Sequence, residues 1–424
     1  MKYVCTLFSA FLLLSATAHS QGIEKLDSLI DEALANSPEV GAATYKMWAA
    51  QEKIPQASAL DDPELDLSLM EIPGTNFGQA MYATVGIMQM IRFPSKLSTQ
   101  HAIAETEAEH AHHDHVETML DVITRLKSSY AMLRYARTAA DLNKSNEQFL
   151  QQVVSAATTQ YSVGRGTQSD VLKSNIELAR QRAQLETVRQ QVIGAEGMLK
   201  AILNRPSDKP IGSLEDNPPK LVLDSVDDLV RYAVTHRPML IHDSLNVFQS
   251  SLNLTLMKQE YIPDLRIGLE YVRMPAVGEN RWTVSAGISL PFAPWSLSKA
   301  SSRVEEASAN QSMLQSTFEA SRRMVEAQIR DSYAQTKALQ AELDAYHNVI
   351  IPQTDQSLKA SLREYQTNQS SFLMLLDSYR MYKETQMEAA MARMKYDQAL
   401  ASLERNVGVV DINEVSPDSK DEQP

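Results

Sequence analysis

The sequence predicts a mainly α-helical chain with four amphipathic β-strands, its long helices lying antiparallel as a coiled coil. Three observations predict it. First, the chain is written twice. Ala33–Val40 (ALANSPEV) recurs as Ala233–Leu240 (AVTHRPML), and Asp62–Leu69 (DPELDLSL) as Ile262–Leu269 (IPDLRIGL), with Pro38 and Pro63 falling on Pro238 and Pro263. A repeat this long, with its elements in fixed order, constrains architecture more than composition does. Second, apolar and polar residues alternate strictly in two hairpin-like stretches, one per repeat, as in a sheet with one greasy face. Third, the tracts Ser95–Val163, Trp295–Ile351 and Gln353–Val407 contain no glycine or proline. A helix of about 65 residues is about 100 Å long at ~1.5 Å per residue, too long for a compact domain, so such helices must run side by side.

Composition agrees. Only 14 glycines and 6% aromatic residues suit a helical chain, since glycine usage averages ~7%. A net charge of −13 argues against a nucleic-acid partner, which demands a basic face. The same charge suits an acidic soluble surface or a lumen that repels anions.

The elements follow in order. Residues 1–20 read as a secretory signal, with Lys2, an apolar Tyr3–Leu14 and the small-x-small Ala18-His19-Ser20 before Gln21. The apolar stretch is shorter than the ~20 residues of a spanning helix. The only cysteine, Cys5, lies inside this signal, so the exported chain is expected to carry no disulfide, thiolate metal site, cysteine nucleophile or lipid anchor. The first repeat covers 21–204. It opens with a helix over about Ile23–Gln56, with Leu26, Leu29, Ile30, Ala33 and Leu34 on one stripe. A β-hairpin follows at about 62–93. Leu65, Leu67 and Leu69 alternate with Glu64, Asp66 and Ser68 and, after a turn at 72–76, Met81, Ala83, Val85 and Ile87 alternate with Tyr82, Thr84, Gly86 and Met88. The long helix ends in a polar turn at Tyr161–Gly166, where glycine suits a left-handed cap, and the chain returns as Val171–Leu203.

A proline-rich connector, 205–220, leads to the second repeat, 221–410. Its hairpin, about 263–293, sets Leu265, Ile267, Leu269 and Tyr271, then Trp282, Val284, Ala286 and Ile288, against charged or small residues. Tyr82, Tyr271, Trp282, Phe292 and Trp295 gather toward the strand ends, where an interfacial girdle sits in membrane sheets. Val325, Ile329, Tyr333, Leu339, Leu343, Tyr346 and Ile350 give the second long helix its apolar stripe. It turns at Tyr365–Gln369 and returns as Leu373–Val407. Residues 411–424 are polar and charged and are expected to be disordered.

Four strands with lipid-type alternation pose a physical problem. An open sheet in a bilayer leaves edge N–H and C=O groups unpaired, at several kcal/mol each. Four strands are too few to close a barrel. If the strands span a membrane, they must be pooled between subunits.

The order helix, hairpin, long helix, turn, return helix, made twice, resembles the TolC-type outer-membrane efflux family over essentially the whole chain after the signal. Local signatures agree: Tyr161-x-x-Gly164 before Asp170-Val171-Leu172, and Tyr365 before Leu375-Leu376-Asp377, after an Ile351-Pro352-Gln353 break. The resemblance implies a mainly α fold with a transmembrane β-barrel. Three copies would build one twelve-stranded barrel in the outer membrane, continued by an α-helical coiled-coil barrel in the periplasm. It implies a homotrimer that exports passively, with outer-membrane lipid around it. Its partners would be a periplasmic adaptor (membrane fusion) protein and an inner-membrane pump of RND or ABC type, in a tripartite efflux or type I secretion system. Residues Ile91–Leu97 resemble the strand-to-helix junction of metal-exporting relatives.

By the same resemblance, Asp377 supplies one carboxylate per copy to a ring at the channel constriction, a ring that would favour cations. The companion acidic position holds Met374, which makes the ring half as acidic. Tyr161, Gly164, Asp170 and Tyr365 fall at the periplasmic mouth, where Asp170 and Tyr365 match latch positions. The arginine of that latch is replaced here by Ser370. On a helix, His110/His113 and His112/His115 each face one way, at spacing suited to a divalent ion. With no cysteine beside them, the run 110–115 reads as a solvated polar face rather than a metal site. No phosphate loop, H-E-x-x-H helix or G-x-S-x-G elbow is present. The chain therefore reads as a channel with no cofactor, not an enzyme. The alternative is a soluble periplasmic coiled-coil scaffold or adaptor, which would show one helical hairpin rather than duplicated amphipathic strands.

Overall fold

Each repeat begins with a pair of helices split by a proline. In the first, β1 (Ile23–Glu24) leads into α1 (Leu26–Asn36), α2 (Pro38–Gln51) and the short α3 (Lys53–Ala57). Periodicity alone reads this stretch as one helix. The break falls at Ser37, held extended at φ −68° and ψ 121°, because proline drives the preceding residue out of the α region. The Ser37 hydroxyl then caps α2, accepting from the Val40 N–H at 3.4 Å. Pro38 starts the helix, where a missing N–H costs nothing. In the second repeat, β4 (Ser213–Leu214) precedes α6 (Val226–His236) and α7 (Pro238–Gln259), with the same extended corner at Arg237. The strands β1 and β4 pair in parallel, tying the connector back to the start of the first repeat.

The computed structural model describes residues 23–415 except 73, 74, 76, 78, 79, 81, 216, 221, 223, 224, 275–277 and 292. The signal, the alternating Met81, the girdle residue Phe292, parts of both hairpin turns and the tail past Val415 lie outside the described residues.

Both hairpins join a single antiparallel sheet. Its strands are β2 (Glu64–Met70), β3 (Tyr82–Ile91), β5 (Leu265–Met274) and β6 (Glu279–Ile288), ordered β2-β3-β5-β6. The register lines up the greasy positions. Leu67, Val85, Tyr271 and Trp282 form one row, and Leu65, Ile87, Leu269 and Val284 the next. This face is exposed throughout much of its area. The opposite face carries Asp66, Gly86, Glu270 and Thr283 in one row. Crowding there explains two glycines. A Cβ on Gly86 would stand 2.9 Å from Glu270 Cγ, and one on Gly268 would run into the Ser285 hydroxyl.

The helical layer is long. α4 (Pro94–Ser162) has 69 residues and returns as α5 (Gln168–Ile202), reaching about 100 Å. Its counterpart is α8 (Pro294–Ala345), a π-helical turn at Tyr346–Ile350, and α9 (Ile351–Gln366), returning as α10 (Phe372–Val407). The expected break at Ile351-Pro352-Gln353 is thus no break. Proline lacks the N–H and crowds the carbonyl four residues back, and the wider π turn absorbs both defects without ending the helix. The inserted residue is visible as a shift in repeat spacing, from 203 between Tyr130 and Tyr333 to 204 between Gly164 and Asn368.

The helix α4 packs on α2, α5, α7 and α10, and α8 packs on α7 and α10. The two cores share their central repeat positions. Leu29, Leu126, Leu199 and Leu203 are fully buried in the first, and Leu229, Ile329, Leu403 and Val407 in the second. Residues 411–415, expected to belong to a disordered tail, are folded. Ile412 and Val415 are buried in the second core, and the Ile412 N–H donates to the Glu404 carboxylate at 3.2 Å. Among the described residues, no helix is long and apolar enough to cross a membrane.

Candidate functional site at the helical hairpin ends

The far ends of the two helical hairpins are the same turn made twice. Gly164 takes φ 70° and donates to the Tyr161 carbonyl at 3.0 Å, while the Arg165 N–H donates to the Gln160 carbonyl at 2.9 Å. In the second repeat Asn368 takes φ 60° and donates to the Tyr365 carbonyl at 3.1 Å, and the Gln369 N–H donates to the Glu364 carbonyl at 2.8 Å. Glycine and asparagine tolerate this left-handed conformation best. A hydroxyl then caps each return helix. Thr167 accepts from the Asp170 N–H at 3.2 Å, and Ser371 from the Met374 N–H at 3.4 Å. Asp170 and Met374 therefore occupy one structural position. Only the first end closes reciprocally, with the Asp170 carboxylate accepting from the Thr167 N–H at 3.2 Å, which completes a capping box.

This places the residues singled out from sequence. Asp170 is engaged within its own hairpin. Tyr365 is 6% exposed and packs edge-on against Phe372, and its hydroxyl has no hydrogen-bond partner among the described residues. Burial, aided by the nearby Asp170 charge, pushes the Tyr365 phenol above its usual range. The two latch positions are thus close but not bonded. Tyr161, Met374 and Asp377 are exposed around the tip, and the Ser370 hydroxyl reaches only the Ser371 carbonyl, at 3.5 Å.

The bonds that join the two hairpins lie mostly deeper. The Glu177 carboxylate of α5 pairs with Arg380 of α10, and Lys383 Nζ donates to Gln181 Oε1 at 2.7 Å. Gln181 Nε2 in turn donates to the Asn143 side-chain oxygen at 2.8 Å and to its carbonyl at 2.9 Å. At the tip itself, Gln160 Nε2 donates to the Gln366 carbonyl at 2.9 Å. Asn143 and Gln181 are 1% and 2% exposed, and burial holds the Lys383 ammonium below its usual value despite Glu177 nearby. Beside them Tyr379 stacks on Phe149 with ring centroids 5.4 Å apart. Sequence reasoning missed this clasp. The available signal was two amides on stripes shared with Leu150, Val153, Leu178, Leu185 and Val188, since buried polar residues are the informative exception.

Higher on α4 the histidines part company. His110 is 8% exposed and packs edge-on against His242 of α7, centroids 4.5 Å apart. His242 Nε2 lies 3.6 Å from Asp114, which Lys46 of α2 also holds at 2.6 Å. His113 faces Glu109 at 3.4 Å, and His115 meets the Thr44 hydroxyl at 3.1 Å. The expectation of a solvated face therefore fails for His110, which helical periodicity turns inward onto a neighbouring helix. Among the described residues no group of three or more His, Cys, Asp or Glu side chains is placed to hold a metal ion.

Comparison with known proteins agrees with this architecture. The profile of the outer membrane efflux protein family matches residues 29–205 and 233–409. The fold is similar to that of the outer-membrane channel OprN, with TM-score 0.76 at 16% identity, over 90% of this chain and 89% of that one. VceC from Vibrio cholerae superposes with TM-score 0.74 at 18% identity, over 91% of this chain and 96% of that one. The open state of MtrE from Neisseria gonorrhoeae gives 0.73 at 17% identity, over 91% and 89%. No curated protein matches the chain in sequence.

Proposed function

The chain belongs to the outer membrane efflux protein family, and on that premise we propose that it is the passive exit duct of a tripartite efflux or type I secretion system. Three copies pool their strands into one twelve-stranded barrel in the outer membrane, and their helices continue the duct through the periplasm. A periplasmic adaptor and an inner-membrane pump of RND or ABC type would deliver the cargo. The observation that carries this reading is the sheet. One face carries the apolar rows of Leu67, Val85, Tyr271 and Trp282 and of Leu65, Ile87, Leu269 and Val284, the other carries the row Asp66, Gly86, Glu270 and Thr283, and among the described residues the outer edges on β2 and β6 are unpaired. Edge groups left unpaired in lipid cost several kcal/mol each, and four strands cannot enclose a lumen. Only further copies satisfy both demands.

In this reading the row Asp66, Gly86, Glu270 and Thr283 lines the barrel lumen, while the leucine and valine rows meet lipid. The helical hairpin ends form the periplasmic mouth. Asp377 contributes one carboxylate per copy near its axis, and Met374 makes the adjoining ring apolar. The resulting mouth would attract cations weakly and repel anions. The Glu177–Arg380 and Asn143–Gln181–Lys383 links hold the two hairpins together, and parting them would widen the opening. No group on the chain needs to react with cargo; energy enters through the pump.

Extraction of the outer membrane with detergent, followed by light scattering, tests the reading. A detergent-dependent particle of three protomers supports it. A water-soluble monomer overturns it and leaves the periplasmic scaffold.

A further inference from the structure

The two repeats are alike in sequence but unlike in exposure, and the difference falls on particular faces. On the descending helices, repeat partners lie 203 residues apart, as Val122/Val325 and Tyr130/Tyr333 show. Along α4, Thr106 and His110 are buried and His113 and Glu117 half-buried against α7; their partners Ala309, Met313, Ser316 and Ala320 on α8 are all exposed. The contrast is sharpest at His110, 8% exposed, against Met313 at 56%. On the rising helices, partners lie 200 apart. Pro238 is buried and His242, Leu245 and Gln249 half-buried on α7, whereas Pro38, Ala42, Tyr45 and Ala49 on α2 are exposed. Both open stripes are made of small or apolar residues at helical spacing.

A second observation points to the same two faces. The strand leading into α8 is β6, and the strand that follows α2 and α3 is β2; these are the two open edges of the sheet. Within the chain, β3 leads into α4, β5 follows α7, and β3 pairs with β5 just as α4 packs on α7. The closed seam and the open faces are therefore the same construction, once with its partner and once without.

We infer that α8 of one copy docks on α2 of the next along Ala309, Met313, Ser316 and Ala320, and that Lys299 there pairs with Glu64 of the next copy. The ion pair follows from the closed seam. Lys96 is 9% exposed, and its Nζ donates to the Ile262 carbonyl at 2.7 Å and to Asp264 at 2.8 Å. The repeat partner of Lys96 is Lys299, and that of Asp264 is Glu64. Both are exposed, and neither has an ion-pair partner among the described residues. An identical lysine is thus kept in both repeats, with its acceptor supplied only once within the chain. The new seam also differs in chemistry. Where the closed one sets His110 against His242, it sets Met313 against Ala42, with no titratable group.

This inference rests on the proposed assembly and specifies its interface. The test uses the full chain with Ala42→Cys and Met313→Cys together, in detergent-solubilised protein whose mass is first fixed by light scattering. A short bis-maleimide should convert it to covalent dimers and trimers on a denaturing gel. Lys299→Glu should give about fivefold more monomer in dilute detergent, the scale of one favourable exposed ion pair, and adding Glu64→Lys should restore the oligomer. A trimer that shows neither the cross-link nor the restoration overturns this interface and leaves the channel standing. A detergent-solubilised monomer overturns both.

Discussion

The two hairpin ends share a backbone and differ in side chains. Gly164 and Asn368 make the same left-handed turn, and Thr167 and Ser371 make the same cap. Yet three residues on, one end holds Asp170, which closes a capping box, and the other the exposed Met374. Turn geometry survived duplication because few residues satisfy it. The side chain at the third helical position was free to diverge, because the hydroxyl cap alone suffices to start the helix. One end is therefore built for local stability, and the other offers an open face.

Substitutions test how independent the two repeats are, beginning far from the ends. Leu126→Ala and Ile329→Ala remove fully buried partners in the two cores, and each should cost ~2–5 kcal/mol. Thermal unfolding followed by circular dichroism should show similar losses; a large inequality would mean that one repeat supports the other. At the ends, Arg380→Ala should raise single-channel conductance in planar bilayers by separating α10 from Glu177. Tyr365→Phe should change it little, because the hydroxyl has no hydrogen-bond partner among the described residues. The reverse order would return the latch to the outer turn. Thr167→Ala should lower stability by about 1 kcal/mol, and Ser371→Ala by less, since its cap is longer and one-sided.

The smallest expected effect depends on pH. Burial, then the neighbouring His242, holds the His110 imidazole below its usual value. The folded chain accepts the neutral ring, so the contribution is full above the unfolded value of ~6.5 and is lost as pH falls through it toward the depressed folded value. Unfolding midpoints should therefore decline between pH ~7 and ~5, and His110→Gln should flatten that decline. An unchanged slope would remove His110 from the account.

Much of this fold was legible because it is encoded locally. Leu65, Leu67 and Leu69 announce a strand by period two. Gly164 and the corner prolines announce turns by the few dihedral angles they permit. The duplication then set the order of elements. The pairings that escaped notice act at a distance along the chain. Asn143 meets Gln181, Glu177 meets Arg380, and His110 meets His242. Periodicity can place one member on a buried stripe, but it does not say which residue of another helix it meets.

The repeat, the strands, the long helices and the turns are written in the residues themselves, because each follows from side-chain periodicity or from one residue's backbone preference. Only the tertiary structure decided which polar residues are buried and which repeat faces stay open. Burial depends on what packs alongside, and a helix stripe looks the same whether or not its neighbour is present. Thr106 and Ala309 hold equivalent places on two similar helices, and one is covered while the other is exposed.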